Sequence, residues 1–141
     1  MYEKILEKKA KDWDYEFSDY VYDEIEKNKI FITNLGKCTQ KDARPLSNEV
    51  LKKYLDLLFK EIDIIRPKII ITFGNQVSSI ILNKKISVSE NRKIYHNLEI
   101  NKKLYKVYPV YYPVGNGIFN IDKSIEDINW IIENEIKGVK I

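Results

Sequence analysis

Amide and cationic side chains follow two short apolar runs, and their chemistry is that of hydrogen bonding and charge neutralisation. The first run ends at Thr33 and the second spans Lys68–Phe73, and each gives way to glycine and polar residues. The polar side chains at these two ends are Asn34, Lys37, Arg44, Asn75 and Gln76. Groups of this kind bind ligands that have polar edges or negative charge. The sequence therefore predicts a binding site at these positions.

Two strands and one helix are expected to position these side chains. β-Branched residues predict strands over Lys29–Leu35 and Lys68–Phe73, and apolar residues at helical spacing predict one long helix over Ser47–Ile65. A strand–helix–strand unit almost always closes right-handed with its two strands parallel. Ligands bind beyond the carboxyl ends of such strands, which is where the candidate side chains fall.

A hairpin and a final helix complete the predicted sheet. Ile94–Ile100 is expected to turn at Asn101–Lys102 into a strand over Leu104–Tyr112. The segment Pro113–Gly117 is rich in turn-forming residues, and Asp122 is placed to begin a last amphipathic helix. This order of elements predicts the α/β class, with a small, mainly parallel sheet flanked by helices.

Length and composition are those of one globular domain. The chain has 141 residues, of which 44% are hydrophobic and 32% charged, which suits a folded domain with its own core. We expect a single domain over residues 1–141. It would consist of a helical segment, 1–28, whose apolar residues recur at three- and four-residue steps, and a core, 29–141.

Charge and cysteine content exclude several classes of protein. Cys38 is the single cysteine, so the chain has no internal disulfide and no set of thiolate ligands for a metal or cluster. Charged residues within Met1–Ala10 and the lack of long apolar runs argue against a secretory signal and a membrane span. We expect a cytoplasmic protein without metal, cofactor or membrane partner, and nothing in the sequence specifies an oligomeric state.

One segment, Asn91 to Lys106, has a local excess of basic residues. The net charge of the chain is only +3, so this bias is local. Its basic residues are Arg92, Lys93, Lys102, Lys103 and Lys106, against Glu99 alone. Two interpretations remain open, a solvated hairpin or an arm that contacts phosphate groups.

Several short motifs occur in a characteristic order. They are Thr33-Asn34, Lys37-Cys38, Arg44-Pro45, Arg66-Pro67-Lys68 with the strand that ends at Gly74, and Val107–Pro113. The ordered set resembles the uracil-DNA glycosylase superfamily, most of all its bacterial and archaeal iron–sulfur branch, from about Lys29 to the final helix. The resemblance implies that family's α/β fold, uracil-containing DNA as the partner, and hydrolysis of the N-glycosidic bond as in base-excision repair.

The resemblance also assigns roles to individual side chains. Asn34 matches the asparagine that binds uracil through paired hydrogen bonds, for which an amide offers a donor and an acceptor. Tyr112 takes the place of a histidine in the catalytic loop, where a phenol can donate a hydrogen bond but cannot carry positive charge. Contacts to the DNA backbone are expected from Lys37, Arg44, Asn75, Arg92, Gly115, Asn116 and Gly117. The alternatives are that Asn34 is a turn residue, Tyr112 a half-buried strand residue and the glycines ordinary turn residues.

These assignments require that distant parts of the sequence meet in space. If the resemblance holds, Asn34, Gly74, Asn75 and the loop Tyr112–Asn116 are expected to lie in one crevice at the carboxyl edge of the sheet.

Two departures from the family pattern lower the expected activity. Cys38 stands at one cluster-ligand position with Tyr54 near the next, so a cluster cannot form and Cys38 is expected to be a small buried side chain. The strand and Gly-Pro loop that position the attacking water are missing before Lys29, which predicts an N-terminally truncated relative with weak or no activity. The alternatives are a non-catalytic module that binds nucleic acid or a nucleotide, and a flavodoxin-like domain that binds a small phosphorylated ligand.

Overall fold

The computed structural model describes residues 15–41 and 44–137. The chain divides into two compact units, Met1–Thr33 and Asn34–Ile141. The predicted single-domain organisation stays a prediction.

Among the described residues of the first unit, Tyr15–Lys27 forms helix α1. Phe17 and Val21, four residues apart on one face, are its buried side chains, as the helical spacing predicts. The helix prediction is confirmed over this range, and its earlier part, residues 1–14, lies outside the described residues.

The segment that follows α1 is not a strand. Lys29 has a left-handed φ of 53°, and the next residues run on without β-pairing, with Ile30, Phe31 and Ile32 exposed. The prediction of a strand over Lys29–Leu35 is therefore wrong. β-Branched residues favour a pleated surface only where a neighbouring strand pairs with them, and none pairs with this segment among the described residues.

Two helices, not one, lie between Ser47 and Ile65. Helix α2 spans Asn48–Lys52, and the Ser47 hydroxyl caps it by accepting a hydrogen bond from the Val50 N–H at 3.3 Å. Helix α3 spans Leu55–Ile65. The predicted single helix is wrong because the turn between α2 and α3 tightens, with the N–H groups of residues 53 and 54 donating three residues back.

Helix α3 ends where the sequence indicates. Arg66 follows it in the left-handed region, with a φ of 49°, and Pro67 cannot continue a helix. Leu58 and Ile62 are buried on its inner face, whereas Ile64 is 82% exposed.

A three-stranded mixed sheet is central to the second unit. Its strands are β1, Ile69–Phe73, β2, His96–Ile100, and β3, Lys103–Val110, in the order β1-β3-β2. Strands β1 and β3 are parallel, whereas β2 and β3 form an antiparallel hairpin. The α/β class is confirmed, although the sheet is mixed and not mainly parallel.

The hairpin turn matches its prediction. Asn101 and Lys102 both have positive φ, 47° and 64°, which suits the right-handed twist of the flanking strands. The Asn101 amide also donates to the Asp63 carboxylate at 2.8 Å, which ties the turn to α3.

Helices α4 and α5 pack around the sheet. Helix α4, Asn75–Leu82, follows β1 directly, and α5, Ile121–Ile132, follows a 3-10 segment, Gly115–Asn120. Helix α5 continues as one π-helical turn, Glu133–Lys137. The core cluster draws on the loop before α2 and on α2, α3, α4, β2 and β3, with Leu35, Leu51, Leu58, Ile62, Ile80, Ile81, Leu98, Ile100, Tyr105 and Val107 buried.

Helix α5 buries one apolar face, as expected of the amphipathic helix predicted here. Ile125, Ile128 and Ile131 are buried, while Ile136 is 47% exposed. The widened π-helical turn after Ile132 rotates later residues away from the apolar stripe of the helix. Among the described residues, none of the helices combines the length and the apolar character needed to cross a lipid bilayer.

Candidate functional site

The carboxyl ends of β1 and β3 meet at Gly74 and Tyr112. The Gly74 N–H donates to the Val110 carbonyl at 2.8 Å, and a Cβ added at Gly74 would lie 3.6 Å from the Cβ of Tyr112. Gly74 has a φ of 88°, which L side chains rarely adopt. Two of the positions expected in one crevice are therefore adjacent, at the edge where parallel strands place ligand sites.

Buried hydroxyl groups fix the turn at Gly74. The Ser78 hydroxyl donates to the Gly74 carbonyl at 2.7 Å, and it lies 2.7 Å from the Thr72 hydroxyl. Ser78 and Thr72 are almost fully buried. This short chain of hydrogen bonds holds the end of β1 and the start of α4 in one geometry.

Close packing within the main chain sets the path of the loop after β3. A Cβ at Gly117 would overlap the Tyr112 carbonyl, so no other residue fits there without displacing the loop. The Gly117 N–H donates to Val114 at 3.0 Å, and the buried Ser124 hydroxyl donates to the Tyr111 carbonyl at 2.6 Å. These contacts hold the main chain of the loop that carries the Tyr112 side chain.

Asn34 and Tyr112 both present their side chains to solvent. Tyr112 lies just after β3 and is 53% exposed, so its phenol can reach a ligand at the sheet edge. Asn34 is exposed and precedes the buried Leu35. Exposure is what a base-binding amide and a hydrogen-bonding phenol need, and the two roles stay predictions.

Asn75 and Gln76 begin α4 and line an open cleft of about 740 Å³. The Asn75 side-chain oxygen accepts from the Val88 N–H at 2.8 Å. The Gln76 amide donates to the Leu46 carbonyl at 3.0 Å and to the Asn48 side-chain oxygen at 2.9 Å. The remaining lining residues are Asn48, Ser79, Lys85, Ile86, Ser87 and Glu90.

Sequence reasoning identified Asn75 and Gln76 but missed Asn48 and Lys85. Asn48 follows a helix cap and Lys85 belongs to a short basic pair, Lys84-Lys85, and each pattern is ordinary in isolation. Only the fold brings them to one cleft.

The cations predicted to contact DNA differ in their surroundings. Lys37 forms an ion pair with Glu61 at 3.3 Å, and Arg44 is exposed. Arg92 donates through two nitrogen atoms to the fully buried Asp127, at 2.9 Å each, and these hydrogen bonds raise the pKa of Arg92. Its contact with phosphate stays a prediction, and its guanidinium already has a carboxylate partner.

Cys38 is exposed, so its predicted burial is wrong. It lies in a loop without regular structure and not on a core-facing element. A side-chain hydrogen bond with Cys38 raises the pKa of the Tyr54 hydroxyl, so the two side chains are neighbours.

These residues do not fit an iron–sulfur cluster. A cluster held by protein thiolates needs four cysteines, and Cys38 is the single one in the sequence. Within residues 15–41 and 44–137, no group of three or more His, Cys, Asp or Glu side chains is placed to hold a metal ion.

A family profile and two curated relatives indicate the same protein family. The sequence profile of the Uracil DNA glycosylase superfamily matches residues 3–117, which begins before Lys29 and ends within the loop after β3. A type-4 uracil-DNA glycosylase of Sulfurisphaera tokodaii is 27% identical over 120 residues, which cover 82% of this chain and 52% of the relative. A type-4 uracil-DNA glycosylase of Saccharolobus solfataricus is 28% identical over 120 residues, covering 82% and 53%. The chain thus spans about half the length of these curated relatives.

Proposed function

Because the chain belongs to the uracil-DNA glycosylase superfamily, we propose that it binds uracil-containing DNA and hydrolyses the N-glycosidic bond weakly or not at all. The observation that carries the proposal is the meeting of Gly74 and Tyr112 at the carboxyl edge of β1 and β3. Asn34 would bind the uracil edge through its amide, and the Tyr112 phenol would face the base. A cytoplasmic site of action is part of the proposal, since a lone cysteine suits a reducing compartment.

Weak turnover follows from the chemistry of the residues. A phenol at position 112 can donate one hydrogen bond to a departing uracil anion but cannot neutralise its charge as an imidazolium would. Among the described residues, no strand precedes β1 to carry a loop that positions water. A positioned general base typically contributes roughly 100- to 10,000-fold, and charge stabilisation of the leaving group adds a comparable factor.

DNA binding needs less than catalysis, because phosphate contacts require only charge and access. Lys37 and Arg44 lie in the loop before α2, while Gly115 and Gly117 shape the loop after β3. These groups support affinity for the strand on either side of the uracil, with the salt dependence expected of phosphate neutralisation.

The test compares single-stranded oligonucleotides that differ by one uracil or thymine. We expect wild-type protein to bind the uracil strand more tightly and Asn34→Ala to abolish this preference. Asn97→Ala, which removes an exposed amide on β2, should have no effect. Abasic sites revealed with alkali should form on the order of 100-fold more slowly than with a type-4 relative assayed alongside.

Three other results would each contradict a part of the proposed function. Rapid uracil release that depends on Asn34 would overturn the claim of weak turnover and retain the base pocket. Equal affinity for uracil and thymine strands would overturn uracil recognition in favour of a non-catalytic nucleic-acid-binding module. Absence of any salt-sensitive DNA binding would overturn the proposal altogether.

A further inference from the structure

The walls of the cleft beside α4 are held in place by side-chain hydrogen bonds. Asn75 accepts from the main chain at Val88, and the Ser79 hydroxyl both donates to the Ile86 carbonyl at 3.3 Å and accepts from the Ile86 N–H at 2.9 Å. Gln76 bridges to Leu46. The cleft is therefore formed before any ligand arrives, and little ordering cost accompanies binding.

The orientation of two amides in this cleft follows from their partners. The Gln76 Nε2 group must face the Leu46 carbonyl, since only a donor can bind there, and it then also donates to the Asn48 Oδ1 atom. This leaves the Gln76 Oε1 acceptor and the Asn48 Nδ2 donor unused among the described residues. The two amides are joined by one hydrogen bond, so an unused acceptor and an unused donor lie on neighbouring side chains of the cleft.

An acceptor and a donor on neighbouring amides complement a nucleobase, whose edges carry both kinds of group. Side-chain amides bind bases through two such hydrogen bonds, one to a ring nitrogen or carbonyl and one from an N–H group. The Watson–Crick edge, which carries both groups, is accessible only in an unpaired nucleotide, because base pairing occupies it in a duplex.

Charge at the cleft suits one phosphate group. Lys85 lines the cleft, is exposed and has no hydrogen-bond or ion-pair partner in the described part of the chain. Glu90 lines the same cleft, and its negative charge disfavours a ligand with two or three phosphates.

We propose that this cleft is a second binding site, which takes the base of an unpaired nucleotide on the Asn48–Gln76 amide pair and its phosphate on Lys85. The proposal deepens the proposed function and rests on it for the identity of the polymer, a single DNA strand that passes the uracil site. The same chemistry would bind a free nucleoside monophosphate, so the experiment separates these two sources.

The experiment uses three variants of the full chain. Lys85→Ala removes the phosphate contact, and Lys84→Ala removes an adjacent exposed lysine that does not line the cleft. Asn48→Asp keeps the Oδ1 acceptor for Gln76 but replaces the Nδ2 donor with a negative oxygen. An aspartate in the first turn of α2 also suits the helix dipole, so folding should be retained.

Binding is measured by fluorescence anisotropy with a labelled, uracil-free single strand, and dAMP and dTMP serve as competitors. We expect Asn48→Asp to weaken strand binding about tenfold. The negative slope of log affinity against log salt should become less steep by about 0.7 in Lys85→Ala. Lys84→Ala should leave both the affinity and this slope unchanged. Competition by dAMP or dTMP at micromolar concentration would assign the site to free nucleotides, and its absence to the DNA strand.

The outcomes separate this inference from the proposed function. A wild-type preference for uracil strands, with Asn48→Asp and Lys85→Ala binding like wild type, overturns the second site alone. Loss of binding in both variants without any uracil preference overturns uracil recognition alone. No binding of either strand or of the nucleotides overturns both.

Discussion

Arg92 and Asp127 form a two-point ion pair that joins the segment before β2 to helix α5. Both hydrogen bonds are 2.9 Å long, and Asp127 is fully buried while the Arg92 side chain is 28% exposed. A buried carboxylate is tolerated only when it is paired and hydrogen-bonded. The pair therefore anchors α5, whatever Arg92 does at the surface.

Removal of Arg92 should destabilise the fold strongly. Arg92→Ala leaves Asp127 as an unpaired buried charge, which typically costs about 3–5 kcal/mol. Lys93→Ala is the matched control, because its partner Glu126 is 59% exposed and such pairs contribute about 0–1 kcal/mol. Urea unfolding measures both, and equal effects would show that the buried pair does not anchor α5. DNA binding by Arg92 should accordingly be tested with Arg92→Lys, which keeps a cation.

Removal of the hydroxyl group should change the stability of the protein in opposite directions at two tyrosines of β3. The Tyr105 hydroxyl is buried without a hydrogen-bond partner among the described residues, whereas that of Tyr108 donates to Glu135. Tyr105→Phe should be neutral or stabilise the protein, since it removes an unsatisfied polar group, and Tyr108→Phe should lower the free energy of unfolding by about 1–3 kcal/mol. Thermal and urea unfolding test this, and destabilisation by Tyr105→Phe would reveal an unseen partner.

Position 117 should tolerate substitution much less than position 115. Gly115 has a φ of 59° with open space around it, while a side chain at Gly117 would strike the Tyr112 carbonyl. Because asparagine adopts the left-handed region readily, Gly115→Asn should change stability by less than about 0.5 kcal/mol. Gly117→Asn should cost about 1–3 kcal/mol through overpacking. Similar unfolding midpoints for the two variants would contradict the close contact.

Stability should fall as the pH drops below the ordinary pKa of histidine. Burial, with a smaller effect of Lys84, lowers the pKa of His96 below its ordinary value of 6.5. Between the two pKa values the unfolded chain binds more protons than the folded one, so the free energy of unfolding decreases with decreasing pH. Urea unfolding between pH 7.5 and 5 should show this slope, because His96 is the single histidine.

His96→Gln is the control for this pH dependence. It should flatten the slope, because no other group in the described residues with a resolved shift titrates near pH 6. The carboxylates Glu126 and Glu135 have pKa values lowered from 4.5, so their effects begin at more acidic pH. A slope that persists in His96→Gln would assign the dependence to another group.

Local chemistry predicted some elements of the fold well. The Asn101–Lys102 turn and the apolar run of β1 each follow from a few neighbouring residues. The strand prediction over Lys29–Leu35 was wrong because strand formation depends on a partner elsewhere in the sequence. The break between α2 and α3 was not predicted, because the apolar stripe of the expected single helix continues across it.

The candidate site was predictable in part. The resemblance to the glycosylase superfamily indicated that Gly74 and Tyr112 meet, and the parallel pairing of β1 and β3 brings them together. The Asn48–Gln76 amide pair was not predictable, since it depends on the spatial approach of residues 28 positions apart. Likewise, no pattern in the sequence links Arg92 to Asp127.

The packing of Gly117 against the Tyr112 main chain restricts substitution at position 117 but not at position 112. The backbone contact fixes one residue type at position 117, while the side chain at position 112 is half exposed and free of that constraint. Substitutions at position 112 can therefore exchange one side-chain functional group for another while the backbone conformation of the loop is kept. Descendants of such a protein could gain or lose a chemical activity by a single codon change and keep the scaffold that presents it.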